Sequence, residues 1–398
     1  MDISDGDISR TRLLLFTGKG GVGKTTLAAA TALGAARQGL RTLVLSTDPA
    51  HSLADSFDQP LTPEPQEIRP NLEAMEVDLY YSMNNEWSNL RRLLLQVFKW
   101  QGVDRVASQE LAALPGMEEA AAMLEVEAFY GQGAYDLIVI DSAPTGETLT
   151  FLTLPQTLQW WLQKALPFQR AAIVGGGAWV RNVTGIPLDK GYLELEQLYA
   201  KLESIRKIMS DPQISSIRLV VNPERMVIRE AQRAYTYLQI YGYPVDAVLI
   251  NRIWPESAGQ TVFSKYVQAQ QGYIDEIKQS FAPLPIMQVP HLGEEVYGID
   301  LLDKIAVALY GDRNPAEVFY HEVTYQLTQE GNGYVLAIRA PLLDEADVEV
   351  KQFGDALVIQ ARSRRRNLFL PKFLAYYHLK DYTLEDGWLR VRFTEAKK

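Results

Sequence analysis

The sequence predicts an α/β protein: a mainly parallel sheet flanked by helices, with a helical subdomain, followed by a small antiparallel β-sandwich. Three observations predict it. A short apolar run, Leu13 to Phe16, opens onto the glycine-rich stretch TGKGGVGKTT (17–26), and the Ala-rich helix former LAAATALGAAR follows. Apolar runs ending on a polar residue recur down the chain, as expected of buried parallel strands whose carboxyl edge binds a ligand. Beyond residue 320 the apolar pattern changes to period two, the mark of half-buried antiparallel strands.

In chain order, Gly39 stands where a helix C-terminal glycine belongs, and RTLVLSTD follows as a second strand. Strand, loop, helix and strand in succession open a parallel sheet. DLIVID (136–141), IRLVVN (217–222) and DAVLIN (246–251) are further buried strands. Between them lie long helical stretches, roughly 83–130 and 152–209. In the second, Leu158, Trp161, Leu162, Ala165 and Leu166 repeat at helix spacing, and Trp160 points off that stripe. GDRNP (311–315) reads as a boundary, which divides the chain into domains at 10–312 and 318–398. Past it, YVLAIRA, DVEVKQF, ALVIQAR and GWLRVRF read as strands, with Phe353-Gly354-Asp355 as a hairpin turn. The run Arg362, Arg364, Arg365 and Arg366 reads as a solvated hairpin loop; the competing reading is a docking patch for anionic lipid or an acidic partner.

Composition narrows the function. With 398 residues, 47% of them apolar and 22% charged, the chain has the balance of a soluble protein with a large core. A net charge of −10 argues against a general nucleic-acid binder. Cysteine is absent, which excludes disulfides, thiolate zinc sites and thiolate-held iron–sulfur clusters. The four histidines, 51, 291, 321 and 378, include no pair at metal-ligand spacing. MDISDGDISR is not a signal peptide, and no apolar run is long enough to span a bilayer. The expected compartment is the cytoplasm, with at most peripheral membrane contact.

The glycine loop supports two readings. Gly18, Gly20 and Gly23 spell G-x-G-x-x-G, with Asp48 as the acid a dinucleotide fold would use. Gly18-x-x-x-x-Gly23-Lys24-Thr25 also completes the longer phosphate-loop pattern, and that match is far more specific. In it, successive backbone N–H groups and a helix N-terminus cradle the phosphates. Lys24 then serves the β/γ-phosphates and the Thr25 hydroxyl reaches Mg²⁺. Asp48 is the candidate to orient the attacking water, directly or through a metal-bound water, or else a helix cap before PAHSL. Asp141 ends a strand where an acid can hold a water on Mg²⁺, and the Pro-Thr-Gly turn after it can sense the γ-phosphate. His51 is read as structural. The expected ligands are ATP and Mg²⁺.

Taken together, KGGVGKTT, DPAHSLADSF, LPGMEEA and DSAPTGETLTFLTLP resemble the ArsA-type ATPases. That family includes the arsenite-pump ATPase and the ATPase that guides tail-anchored proteins to membranes. The resemblance continues through VVNPERMVIREAQRA, VLINRIWPE and VPHLGEEVYGIDLL. It implies that Gly18, Lys19, Gly20, Gly21, Val22, Gly23, Lys24, Thr25 and Thr26 wrap the phosphates, and that Asp48 positions water. It also implies that Glu224 and Asn251 lie around ribose and adenine, and that Pro290 lies in a segment flanking the base. Lys19 matches the signature lysine that reaches a partner's nucleotide across a two-fold interface. With one such loop in the chain, the expected assembly is a homodimer. The sequence departs from the family in lacking the zinc-binding Cys-x-x-Cys and the arsenite-binding cysteines. No zinc clamp and no thiolate route for arsenite are therefore expected. Glu147 stands where histidine is common.

The C-terminal segment resembles the α-crystallin domain of small heat-shock proteins. The likeness rests on Ala340-Pro341, Asp347-Val348-Glu349-Val350, Gly354-Asp355, Leu357-Val358-Ile359 and the Gly-x-Leu of the last strand. A terminal I-x-I anchor is missing, so large assemblies are not expected. The functional expectation is an ATPase whose closure forms an apolar groove for hydrophobic, including transmembrane, client segments. Trp160, Trp161, Leu162, Met123 and Leu124 are candidates to line the groove or to pack the core. The alternatives are a crystallin-like holdase with ATP as a slowly hydrolysed ligand, or an anion-transport-associated ATPase. A positioning ATPase of the partitioning type is disfavoured by the β-patterned C-terminus.

Overall fold

A computed structural model describes residues 11–48, 52–78, 117–160, 188–260, 263–321 and 323–395. The first lobe runs β1 (Arg12–Thr17), α1 (Lys24–Arg37), β2 (Thr42–Ser46), α2 (Ser52–Phe57), β3 (Gln66–Arg69), β4 (Leu72–Glu76), α3 (Met117–Gln132) and β5 (Leu137–Asp141). It continues α4 (Thr145–Trp160), α5 (Leu188–Ser210), β6 (Ser215–Val221), α6 (Arg225–Tyr241), β7 (Val245–Ile253), α7 (Ser264–Ser280), β8 (Ile286–Pro290) and α8 (Ile299–Tyr310).

Eight strands form one sheet in the order β3-β4-β2-β5-β1-β6-β7-β8, parallel except for the β3 edge. The chain leaves β1 to form β2 on one side of it and later β6 on the other. The carboxyl end of β1 is therefore a topological switch point, where such sheets bind ligands. The central strands are buried from end to end, as a sheet covered on both faces requires. That is why they read as apolar runs rather than as alternation.

Helix α1 is alanine-rich because it is buried nearly all round. A methyl group on Gly34 would come within 3.3 Å of Ala306, so only small residues allow α8 this close. Gly39, at φ +90°, turns the chain out of α1 in the left-handed conformation that glycine favours.

The second lobe contains β9 (Tyr325–Glu330), β10 (Gly333–Arg339), β11 (Val348–Phe353), β12 (Ala356–Ala361), β13 (Arg364–Phe369), β14 (Tyr377–Glu385) and β15 (Trp388–Glu395). They form two antiparallel sheets, β14-β15-β10-β9 and β11-β12-β13. Phe353 ends its strand, so the hairpin turn is Gly354-Asp355.

One expectation is corrected and one alternative is decided. The arginine run is not a solvated loop, because Arg364, Arg365 and Arg366 begin β13 and Arg366 is buried against the C-terminal end of α6. Arg362 is held by Asp347 at 2.8 Å. The four side chains therefore do not form one free basic patch. Met123 and Leu124 lie in the hydrophobic core, the second of the two readings given for them. Trp160 ends α4, while Trp161, Leu162, Ala165, Leu166, His51 and residues 83–116 lie outside the described residues. Among the described residues no helix is long and apolar enough to cross a membrane.

The segment between the lobes is fastened at its base. Arg218 and Asp246, both fully buried, pair at 3.3 Å. Arg218 also donates to the Tyr310 hydroxyl and the Glu317 carbonyl, and its guanidinium lies 4.6 Å from the Phe319 ring centre. Arg12 donates to the Ala316 carbonyl.

Candidate functional site

The glycine loop bridges β1 and α1 at the switch point. Its course is dictated by what a side chain would strike. A methyl group on Gly18 would fall 2.4 Å from the Val220 carbonyl oxygen. Gly23, at φ +92°, would place one 2.3 Å from Asn251 Nδ2. That amide nitrogen donates to the Val22 carbonyl at 2.8 Å, while its oxygen accepts from the Arg252 N–H at 2.9 Å. Asn251 thus ties the phosphate loop to a bulge in β7, where the pairing with β8 slips and Arg252 adopts φ +55°.

Above the loop lies a cavity of about 760 Å³, a volume suited to a nucleotide. Gly20, Gly21, Gly23, Lys24, Thr25 and Thr26 form one wall, and Asp48, Ser52 and Asp55 another. Asn251, Arg252 and the segment from Pro290 to Tyr297 complete the lining.

The electrostatics converge on Lys24 and Asp141. Lys24 is buried, and burial lowers its pKa against the pull of Asp141 and Asp48. Asp141 is wholly buried at the end of β5, and burial pushes its carboxyl up to about 7 against the Thr25 hydroxyl, Lys24 and Ser46. Ser46 donates to Oδ2 at 3.2 Å, and Oδ1 has no hydrogen-bond partner among the described residues. A buried carboxylate oxygen left open beside a hydroxyl is a hard-oxygen donor set that fits Mg²⁺. Thr25, Asp48 and Asp141 are the residues that would hold the ion, directly or through water. The Thr25 hydroxyl lies 3.0 Å from that of Ser52.

Behind Asp141 the turn into α4 is bonded to the loop strand. Ser142 donates to the Phe16 carbonyl at 2.6 Å, Thr17 donates to the Thr148 hydroxyl, and the Thr145 N–H donates to Gly18 at 3.3 Å. The buried Thr145 hydroxyl lacks a partner among the described residues. A donor waiting beside the loop suits a turn that responds to a terminal phosphate.

The structure brings most of the expected residues together. Gly20, Gly21, Gly23, Lys24, Thr25, Thr26, Asp48, Asn251 and Pro290 line the cavity. Gly18, Val22 and Asp141 lie buried in its supports. Lys19 is half-buried and outside the lining of its own cavity. Glu224 is exposed at the N-cap of α6, also outside the lining, and Glu147 is exposed on α4. Sequence reasoning missed Ser52, Arg252 and His291, which line the cavity. Each sits within one residue of a quoted motif or expected site position, but nothing in its residue type announces a role.

Comparison with known proteins agrees with this geometry. The family model described as anion-transporting ATPase (ArsA) matches residues 11–311, and the HSP20-like domain found in ArsA proteins matches residues 331–393. A protein of Prosthecochloris vibrioformis, named as an arsenical pump-driving ATPase, is 37% identical over 392 residues and covers 97% of each chain. One of the same name from Chlorobaculum tepidum is 36% identical over 392 residues, again 97% of each. A third, from Aquifex aeolicus, is 36% identical over 375 residues, 91% of this chain and 95% of its own. The phosphate loop, the buried acid behind it and these matches along nearly the whole chain agree: the protein belongs to the ArsA-type ATPase family and is an ATPase with a C-terminal HSP20-like domain.

Proposed function

We propose that this ATPase works as a cytoplasmic homodimer that closes on ATP, each Lys19 reaching the nucleotide of the other subunit, and that closure governs the holding of hydrophobic protein segments. The observation that carries the reading is the separation of the two loop lysines. Lys24 is buried in the wall of its own cavity, whereas Lys19 stands outside that lining. A second loop cation outside the lining of its own cavity supports a role at another site.

Within one subunit the roles follow from position. The loop N–H groups and Lys24 bind the phosphates, and Asn251 keeps the loop in shape by bonding Val22. Asp48 lines the cavity and is the residue that orients the attacking water. Mg²⁺, held by Thr25, Asp48 and Asp141 when bound, would supply charge that neutralises the phosphates. A cation added in trans stabilises charge on the transferring phosphoryl group, an effect worth about 10³–10⁵ in rate for arginine fingers.

The named relatives concern an arsenical pump. This chain has no cysteine, and thiolates are the soft ligands such a substrate demands. A hydrophobic polypeptide client suits the HSP20-like lobe better. Phe353, Phe373 and Tyr376 are exposed there, the last at 76%.

Intersubunit complementation tests the dimer. Lys19→Ala should bind ATP without turning it over, and Lys24→Ala should fail to bind. Mixing the two should restore hydrolysis, because each mixed dimer pairs an intact loop cradle with an intact Lys19. Wild-type turnover by Lys19→Ala alone would sink the reading. Co-purification of a transmembrane segment with and without ATP tests the client. Capture that ignores nucleotide, with negligible steady-state hydrolysis, would favour a holdase that carries ATP as a structural ligand.

A further inference from the structure

We propose that Glu76 is a positioning residue for hydrolysis: it holds helix α2, and with it the segment that begins at Asp48, beside Thr25. The inference rests on the reading of Asp48 as the residue that orients the attacking water, and adds the group that keeps its segment in place.

Glu76 is the last residue of β4 and is buried. Its backbone is fixed on both sides. The Glu76 N–H donates to the Thr62 carbonyl at 3.2 Å, and the next N–H, that of Val77, donates to the Ser46 carbonyl at 3.0 Å. Strand register places Glu76 beside Ser46 of β2, and Ser46 beside Asp141 of β5. Three polar residues therefore stand in one row at the carboxyl edge of the sheet. In the middle of the row the Ser46 hydroxyl donates to Asp141 Oδ2 at 3.2 Å and accepts from the Asp48 N–H at 3.3 Å. The inner end of the row is thus tied to the start of the Asp48 segment. Glu76, at the outer end, is tied to α2.

Helix α2 needs such a support. It has six residues, too few to be stable alone, and the first N–H groups of a helix have no acceptor within it. Glu76 Oε1 accepts from one of them, the Ala54 N–H, at 3.0 Å. Near the other end of α2 the Ser56 carbonyl accepts from the Gly298 N–H at 2.9 Å. Leu53 and Phe57 bury its apolar side, while Ser52 and Asp55 line the cavity. The Ser52 hydroxyl lies 3.0 Å from that of Thr25. A shift of α2 would carry Ser52 and the Asp48 segment with it, and misplacement by about 1 Å can cost on the order of 10²-fold in rate. The groups that bind phosphate, the loop N–H groups and Lys24, belong to the loop and α1 and do not hang on Glu76. Loss of Glu76 should therefore slow the chemistry and spare binding.

The test uses the full chain with Glu76→Met, which keeps the bulk and removes the acceptor, and Glu76→Gln, which keeps an oxygen able to accept from Ala54. Asp48→Asn runs beside them. Binding of a non-hydrolysable ATP analogue counts the folded sites, and turnover is expressed per site. Glu76→Met should bind the analogue as the wild type does and turn ATP over roughly 10- to 100-fold more slowly. Glu76→Gln should recover most of that rate. A residue that served stability alone would lower the number of sites and leave the rate per site unchanged. Adding Glu76→Met to Asp48→Asn should slow the enzyme little further, because the two act on one step through one segment. If Glu76→Met does not fold, Glu76→Asp carries the same expectation, since its shorter side chain falls short of Ala54. Wild-type turnover per site in Glu76→Met, with Asp48→Asn slow, overturns the inference and leaves Asp48 in its role. So does a Glu76→Gln as slow as Glu76→Met, which would deny the bond to Ala54 any part. If Asp48→Asn itself turns over like the wild type, the reading of Asp48 falls and the inference with it.

Discussion

Gly23 and Asn251 constrain one another, and that pair makes a sharp prediction at the scale of one residue. In Gly23→Ala the new methyl group would meet Asn251 Nδ2 at 2.3 Å, in a backbone conformation that alanine avoids. The variant should lose about 1–3 kcal/mol of stability and lose nucleotide binding, read by thermal melting and titration with a fluorescent ATP analogue. Asp141 makes a second prediction, on pH. Its folded carboxyl is raised to about 7, above the ordinary value near 4. The folded chain therefore binds a proton that the unfolded chain has released across that window. This contribution to stability is fully present below about pH 4 and fades as pH rises through about 7. Without nucleotide, the melting temperature of Asp141→Asn should fall less steeply than that of the wild type between pH 5 and 7. Equal slopes would show that Asp141 titrates normally. The sequence singled out Lys24, Thr25, Asp48 and Asp141, because phosphate chemistry calls for a lysine and a hydroxyl at the start of the helix after the loop and for acids at strand ends. It did not single out His291, whose ring lies parallel to that of Trp254 and lines the cavity.

Helix α6 is the element on which the two lobes meet. Its carbonyl end is capped by a guanidinium from the other lobe, Arg366 to Ile240, and the Tyr241 hydroxyl donates to the Arg365 carbonyl. Midway along, the Thr236 hydroxyl donates to the Pro341 carbonyl. Just past the helix, the Tyr243 hydroxyl donates to the Leu152 carbonyl in α4, the helix that begins at the switch turn. Arg366→Ala should cost about 1–3 kcal/mol, since a buried carbonyl loses its donor and a void opens. Arg366→Met should recover much of this, because burial already disfavours the charge and its pKa falls to about 10. Denaturant melts of the three proteins would rank them. The same element explains why β13 was not legible: three consecutive arginines look like solvent-facing loop, and only the α6 end and the β12 ladder make them strand. The exposed edge β9 and the polar β14, with its slip between Leu379 and Asp381, lacked clean alternation. The strands β1, β2, β5, β6 and β7 were legible because helices on both faces force unbroken apolar runs.

At the scale of the whole molecule, the question is whether the lobes behave as one body. A lone linker would let them move and melt apart. Here the crossing segment is tied to the sheet of the first lobe by Arg12 to Ala316 and Arg218 to Glu317, with Asp246 accepting from the Phe319 N–H. The same cluster reaches α1, the helix that follows the phosphate loop. The Tyr310 hydroxyl lies 2.7 Å from that of Thr31 in α1. The second lobe is held again at the far end of α6. Two separate attachments couple the lobes, one through the bonds that Arg218 and Asp246 make to the crossing segment and one along α6. Calorimetry should therefore show a single transition in which both lobes melt together. Saturating ATP at about 100 times its dissociation constant should stabilise that one transition by roughly 2.7 kcal/mol, although the ligand touches only the first lobe. Arg218→Ala leaves Asp246 buried and unpaired, at a cost of about 3–5 kcal/mol, and should loosen the crossing segment. In that variant the HSP20-like lobe should melt as a separate step that ATP does not shift. Two transitions already present in the wild type would show that the lobes are independent and that the buried pair only stabilises the sheet.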